Sequence, residues 1–252
     1  MELVLVSLAS LLAGFVDSIV GGGGLILIPA LFAVFPGAPP ATLLGTNKGA
    51  SVWGTGFATL QYSRRVKMPW PVLWPAAVAG LLASFAGAWV VTLVSPDYLR
   101  KALPGLLLAV LIYTVARKEL GRTQAPRFSG MQERALAAVI AAACGFYDGF
   151  FGPGTGSFLV FLFVRVLGYD FLNASACAKL INTATAAAAL LLFVIKGHVW
   201  WHFVLAMALA NVLGSLLGTR LALKHGAGFV RAAFIVVVAA LIAKTSYDAF
   251  WR

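Results

Sequence analysis

The stretch Gly14-Phe-Val-Asp-Ser-Ile-Val-Gly-Gly-Gly-Gly24 returns 131 positions later as Gly145-Phe-Tyr-Asp-Gly-Phe-Phe-Gly-Pro-Gly-Thr155. Each copy sets one aspartate, Asp17 or Asp148, in apolar sequence beside a glycine cluster that an ordinary membrane helix does not need. Sliding the chain on itself by 131 residues also pairs Leu31 and Phe32 with Leu162 and Phe163, Gly37 with Gly168 and Lys48 with Lys179. The same register pairs Trp70 with Trp201, Ser84 with Ser215, Gly87 with Gly218 and Arg100 with Arg231. One register held over that distance predicts two homologous halves, residues 1–118 and 131–252, joined by a polar linker, 119–130.

Composition sets the solvent. Of 252 residues, 61% are hydrophobic and 11% charged, and the mean hydropathy of +0.93 lies outside the balance of a soluble domain. Solid apolar runs recur at Leu3–Val20, Thr42–Tyr62, Pro71–Val94, Leu99–Val115, Asn173–Ile195, Trp200–Leu223 and Phe229–Phe250. A barrel strand would alternate, so these predict helices and an all-α polytopic membrane protein. The net charge of +11 would suggest nucleic acid in a soluble chain. Here the basic residues fall in short loops between apolar runs, which is the positive-inside pattern. The N-terminal Met-Glu-Leu-Val lacks a basic leader, so the first run is expected to stay in the membrane. Cys144 and Cys177 sit in apolar sequence without metal-type spacing and read as packing residues.

In each half a helix ending at the aspartate and glycines leads into a short apolar piece, Leu25–Phe35 or Phe158–Leu167, followed by longer spans. A piece of that length cannot cross a bilayer at about 1.5 Å per residue. Short, glycine-interrupted segments at matching places in two halves are the mark of broken or re-entrant helices at a transporter's binding site. If the short piece folds back, each half crosses an odd number of times and the repeats are inverted; if it continues the preceding helix, they are parallel. The basic residues gather on one side under either scheme; inverted repeats with a cytoplasmic linker are the reading adopted, and parallel repeats are the alternative.

Of eight acidic residues only Asp17 and Asp148 lie deep in apolar sequence. Each could carry a coupling proton or simply cap the next helix start and hold the glycine turn. Lys48 and Lys179 fall about two turns inside long helices, where snorkelling to the interface competes with a polar seam. Ser51 and Asn182 stand three residues on, and Asn47 and Thr183 add polar atoms, which favours the seam. The runs Gly21–Gly24 and Gly152-Pro-Gly-Thr-Gly-Ser157 leave backbone N–H groups free at the start of the short helices. Such starts bind oxyanions. The expected substrate site is therefore Gly22, Gly23, Gly24, Leu25, Asn47, Lys48 and Ser51 with Gly154, Thr155, Gly156, Ser157, Lys179 and Asn182. Close packing through glycine is the competing explanation, although it accounts poorly for four in a row.

His198 and His202 have a metal-compatible spacing but no third ligand in view, and Trp70, Trp74, Trp200 and Trp201 read as interfacial anchors. There is no hydrolytic triad and no Walker-type loop, so no metal, cofactor or enzymatic activity is expected.

The two motifs, with Gly45-Thr-Asn-Lys48 after the first and Ala178-Lys-Leu-Ile-Asn182 after the second, resemble the TauE/SafE-type sulfite exporters, the TSUP permeases. The resemblance covers essentially the whole chain and implies a bacterial inner-membrane secondary transporter of sulfur-containing anions such as sulfite or organosulfonates. A passive anion channel, or a permease of another small organic anion, is the alternative. The expected partners are the anion and the lipid bilayer, with a homodimer as one candidate assembly and no nucleic acid.

Overall fold

The computed structural model describes residues 1–91, 108, 121 and 123–250, and no strand occurs among them. The first helix, α1 (Glu2–Val20), stops at Gly21, whose φ of 82° lets its N–H reach back to Asp17 O at 2.8 Å. A residue with a side chain would be strained there. The short α2 (Gly24–Val34) has eleven residues, about half the length needed to cross a hydrocarbon core. Then α3 (Pro40–Ser63) opens with proline in its first turn, where a missing N–H costs nothing, and α4 (Trp70–Val91) follows.

The second half keeps the same order. It has α5 (Gly130–Phe150), a short α6 (Thr155–Leu162) that runs into a π-helical turn (Phe163–Leu167), α7 (Phe171–Ile195) and α8 (Trp201–Phe250). Gly152 and Gly154, at φ of 91° and 83°, make the bend into α6. The sequence anticipates a break between Trp200–Leu223 and Phe229–Phe250, and the structure has one: two helices meet at a kink at Gly226, whose backbone (φ 73°, ψ −165°) is not helical. Among the described residues four helices are long and apolar enough to cross a membrane, and Gly24–Val34 and Thr155–Leu167 are shorter apolar helices. The anticipated span Leu99–Val115, and the match of Arg100 with Arg231, lie outside the described residues.

Interhelical contacts give the directions of the helices. Ser10 Oγ donates to Met207 O at 2.7 Å, Gly14 lies against Asn211 and Gly218 against Phe15, so α1 and α8 run parallel. Gly145 lies against Gly80 and Gly87 against Phe146, so α4 and α5 are parallel as well. The two sets are the same contacts displaced by 131 positions. Ser84 Oγ donates to Thr185 O at 2.8 Å and Ser215 Oγ to Gly54 O at 2.6 Å, which is another such pair. By contrast α3 and α7 run antiparallel: Gly45 meets Phe193, Gly49 is near Leu190, and Thr59 and Thr183 share a hydroxyl contact of 3.0 Å.

These directions give the short helices their role. Gly49 packs on Val204 and Gly54 on Asn211, so α3 runs with α8 and therefore with α1. The chain must then return between α1 and α3, and α2 is the element that carries it back. In the same way α5 and α7 both run with α4, and α6 with its π turn carries the chain back between them.

Small residues permit these close crossings. A Cβ on Gly87 would collide with the Phe146 carbonyl and the Phe150 amide of α5, whereas a Cβ on Gly37 would meet nothing. Overpacking of this kind costs about 1–3 kcal/mol. Gly87→Val is therefore expected to lower the thermal midpoint of detergent-solubilised protein, with Gly37→Ala unchanged; equal midpoints for both would refute the packing argument.

The described part of the polar linker is bound in place, not a free spacer. Ala125 N–H donates to Gly168 O at 2.9 Å, Arg127 N–H to Leu167 O at 3.0 Å and Phe171 N–H to Gly121 O at 2.9 Å. Arg127 Nη1 adds a bond to Arg165 O at 2.8 Å, so this segment straps the turn between α6 and α7. Beside it Tyr169 donates to Glu133 Oε1 at 2.6 Å. Burial, together with that bond, pushes the Tyr169 phenol well above its ordinary range.

Candidate functional site

The last turn of α1 carries Asp17 and the last turn of α5 carries Asp148. Each aspartate meets the lysine of the other half: Lys179 Nζ lies 2.8 Å from Asp17 Oδ2, and Lys48 Nζ lies 2.7 Å from Asp148 Oδ2. Under the 131-residue register the two pairs are images of one another. The lysine side chains are only 0% and 6% exposed, so neither snorkels and both belong to a polar seam. Taking four charges out of water is costly, and mutual pairing is what makes it tolerable.

The two pairs differ in detail. Lys179 makes an aligned hydrogen bond to Asp17, and the other oxygen of Asp17 accepts the Gly23 N–H at 3.3 Å. Asp17 thus holds the glycine turn as well as the lysine. Asp148 Oδ2 is at ion-pair distance from Lys48 but has no aligned hydrogen bond.

Around the charges the helix ends interlock. Gly21 and Gly156 cross backbone to backbone with no room for a Cβ on either. Ser157 donates its N–H to Gly21 O at 3.2 Å and its hydroxyl to Val20 O at 3.0 Å. Ser175 Oγ donates to Ile19 O at 3.0 Å and Tyr62 Oη to Ser18 O at 2.9 Å. The carbonyls that α1 leaves without helical partners are therefore taken by hydroxyls from α3, α6 and α7 and by the Ser157 N–H. On the opposite side Tyr147 Oη donates to Pro153 O at 2.6 Å and stiffens the bend into α6.

These elements surround a small, partly open cavity of about 30 Å³, enough for about two waters. Of the residues anticipated from sequence, Asp17, Gly23, Gly24, Asn47, Lys48, Ser51, Asp148, Thr155, Gly156 and Asn182 line it. Gly22, Leu25, Gly154, Ser157 and Lys179 do not. The Leu25 side chain is in the core and its N–H goes to Gly22 O at 3.1 Å. The N–H of Ser157 is occupied by α1, and Lys179 stands behind Asp17. Of the amides at the short helix starts, those of Leu25 and Ser157 are thus already engaged.

Two polar wall residues are absent from the sequence expectation, Thr55 and Asn211. Thr55 could have been found, since it follows Ser51 by one helical turn. Asn211 is matched with Gly80 by the repeat register, so a comparison of the halves passes over it. It is held by Asn211 Nδ2 bonds to Ser10 O at 3.0 Å and Ser10 Oγ at 3.2 Å. The remaining candidates lie elsewhere: His198 Nδ1 contacts Thr42 Oγ1 at 3.3 Å, Cys144 and Cys177 are buried free thiols, and no metal-type cluster occurs among the described residues. Trp70, Trp74 and Trp201 are exposed as anchors should be. Trp200 instead packs edge-on against Phe35, with ring centroids 5.2 Å apart.

An apolar helical bundle with a charged, buried centre and no strand among its described residues is the framework of a multi-pass membrane protein. The family model for the sulfite exporter TauE/SafE matches residues 6–245, and the chain belongs to that family of membrane transporters. Among curated proteins it is similar to a probable membrane transporter, ORF9, of Sinorhizobium sp, with 36% identity over 95% of this chain and 90% of the relative. It is 37% identical to the probable membrane transporter YfcA of Escherichia coli K12 over 95% and 87% of the two chains. A probable membrane transporter of Haemophilus influenzae is 33% identical over 95% and 92%. No solved structure matches the chain.

Proposed function

We propose that this chain is a secondary carrier, built of two inverted repeats, that exports small sulfur-containing oxyanions such as sulfite or organosulfonates across the inner membrane. The observation that carries the reading is the reciprocal pair of ion bridges, each joining a lysine of one half to an aspartate of the other beside the short-helix starts. The antiparallel run of α3 and α7 supports inverted repeats, because those helices hold the same place in their halves. Helix starts and Lys48 offer an anion its donors, and a carboxylate that can take up a proton offers coupling to an ion gradient. The small cavity, too tight for the cargo as it stands, suits a carrier that must rearrange to load better than a continuous pore.

The test is transport of labelled sulfite in proteoliposomes with and without an imposed proton gradient. A coupled carrier accumulates label against its concentration gradient when the proton gradient is present and stops when it is collapsed. Steady conduction under voltage, indifferent to the proton gradient, would make the protein an anion channel and end the carrier reading.

A further inference from the structure

We propose that the cavity selects a monoanion bearing its own hydrogen-bond donor, with Asn47 as the acceptor that recognises that donor. The inference rests on the oxyanion reading above and narrows its substrate class. Asn47 is 4% exposed and lines the cavity, and its Oδ1 has no hydrogen-bond partner. Asp148, 3% exposed, also lines the cavity, and its Oδ2 is taken by the ion pair with Lys48 at 2.7 Å, so Asn47 Oδ1 is the acceptor left over. A buried acceptor left without a donor is a standing cost, and a ligand that supplies the donor removes it.

Charge points the same way. The cavity wall presents one ammonium, Lys48, against two carboxylates, Asp17 and Asp148, and Lys179 behind Asp17 brings the cluster to formal neutrality. A dianion would enter a largely buried site with no net positive charge to receive it. A monoanion asks for less, and Lys48 with the Gly24 and Gly156 segments stands around it as the polar surface for its oxygens. A site built only to hold an anion would show donors and no free acceptors. The free Asn47 acceptor is accounted for if the guest brings an N–H or O–H.

Three probes of nearly one size separate these requirements: sulfamate is a monoanion with an amino donor, methanesulfonate is a monoanion without one, and sulfate is a dianion without one at neutral pH. Their apparent affinities are read from thermal stabilisation of the purified full chain, since a ligand of the native state raises its stability. Sulfamate is expected to bind at least about tenfold tighter than methanesulfonate, the ordinary consequence of one unmet buried hydrogen bond, with sulfate weakest. In Asn47→Leu the ratio of sulfamate to methanesulfonate affinity is expected to shrink several-fold, whatever the change common to both ligands. Should that variant fail to fold, the wild-type ratio alone decides. Equal binding of sulfamate and methanesulfonate, or tightest binding of sulfate, overturns the inference and leaves the carrier reading standing. If none of the three stabilises the protein and labelled sulfite does not cross either, both fall together.

Discussion

Lys179→Met is expected to lower stability by about 3–5 kcal/mol, the usual consequence of leaving one partner of a buried ion pair uncompensated. Lys179 is fully buried, and its removal strands Asp17, whose side chain is 14% exposed and already accepts the Gly23 N–H. The double variant Lys179→Met/Asp17→Asn should recover most of the loss, because it contains no unpaired charge and the new carboxamide keeps an oxygen for the Gly23 amide. The coupling between the two substitutions is read from a double-mutant cycle of thermal or denaturant stability in detergent. If the single variant is as stable as the double, the pair is not holding the centre together. The same stranded carboxylate would sit one turn before Gly21, where Gly21 and Gly156 cross. Damage at this pair should therefore loosen the contact between the halves, and limited proteolysis of the single variant should show it.

Much of this architecture is written in residue types whose environment the chain itself reveals. Asp17 and Asp148 stand out because their neighbours are apolar, and Gly21–Gly24 announces a break because glycine in series has no use inside a helix. The short helices follow from length, and α2 occupies Gly24–Val34 where the sequence anticipates Leu25–Phe35. What a single sequence does not contain is the choice of partner. Lys48 is as close in sequence to Asp17 as Lys179 is to Asp148, yet each lysine bonds across the halves, because α1 and α5 are brought to the other half's α8 and α4 by Gly14, Gly145, Gly87 and Gly218. The donors escape a local reading for a related reason. The Ser157 amide is free in the local helix start and is taken only when Gly21 arrives from the first half. Arg127 and Ala125 likewise read as linker by polarity, and only the approach of Leu167 and Gly168 turns them into a strap.

The second pair carries the larger functional prediction. Lys48→Met/Asp148→Asn removes both charges without stranding either, so the protein is expected to fold and insert. Sulfite flux should nevertheless fall roughly 10- to 150-fold, which corresponds to the loss of about 1.5–3 kcal/mol from a contact between a charged donor and the anion. Any residual flux should no longer respond to a proton gradient if Asp148 is the residue that takes the proton. Lys48 on α3 is its charged partner, Asp17 on α1 lines the same cavity, and Cys144 and Tyr147 are its titratable neighbours on α5. The mirror variant Lys179→Met/Asp17→Asn supplies the comparison, because Lys179 does not reach the cavity and Asp17 is committed to the Gly23 turn. Its flux should drop less, and its gradient response should persist. Equal losses at the two pairs would mean that the asymmetry in hydrogen bonding has no functional weight, and that both bridges serve the carrier alike, one on each side of its cycle.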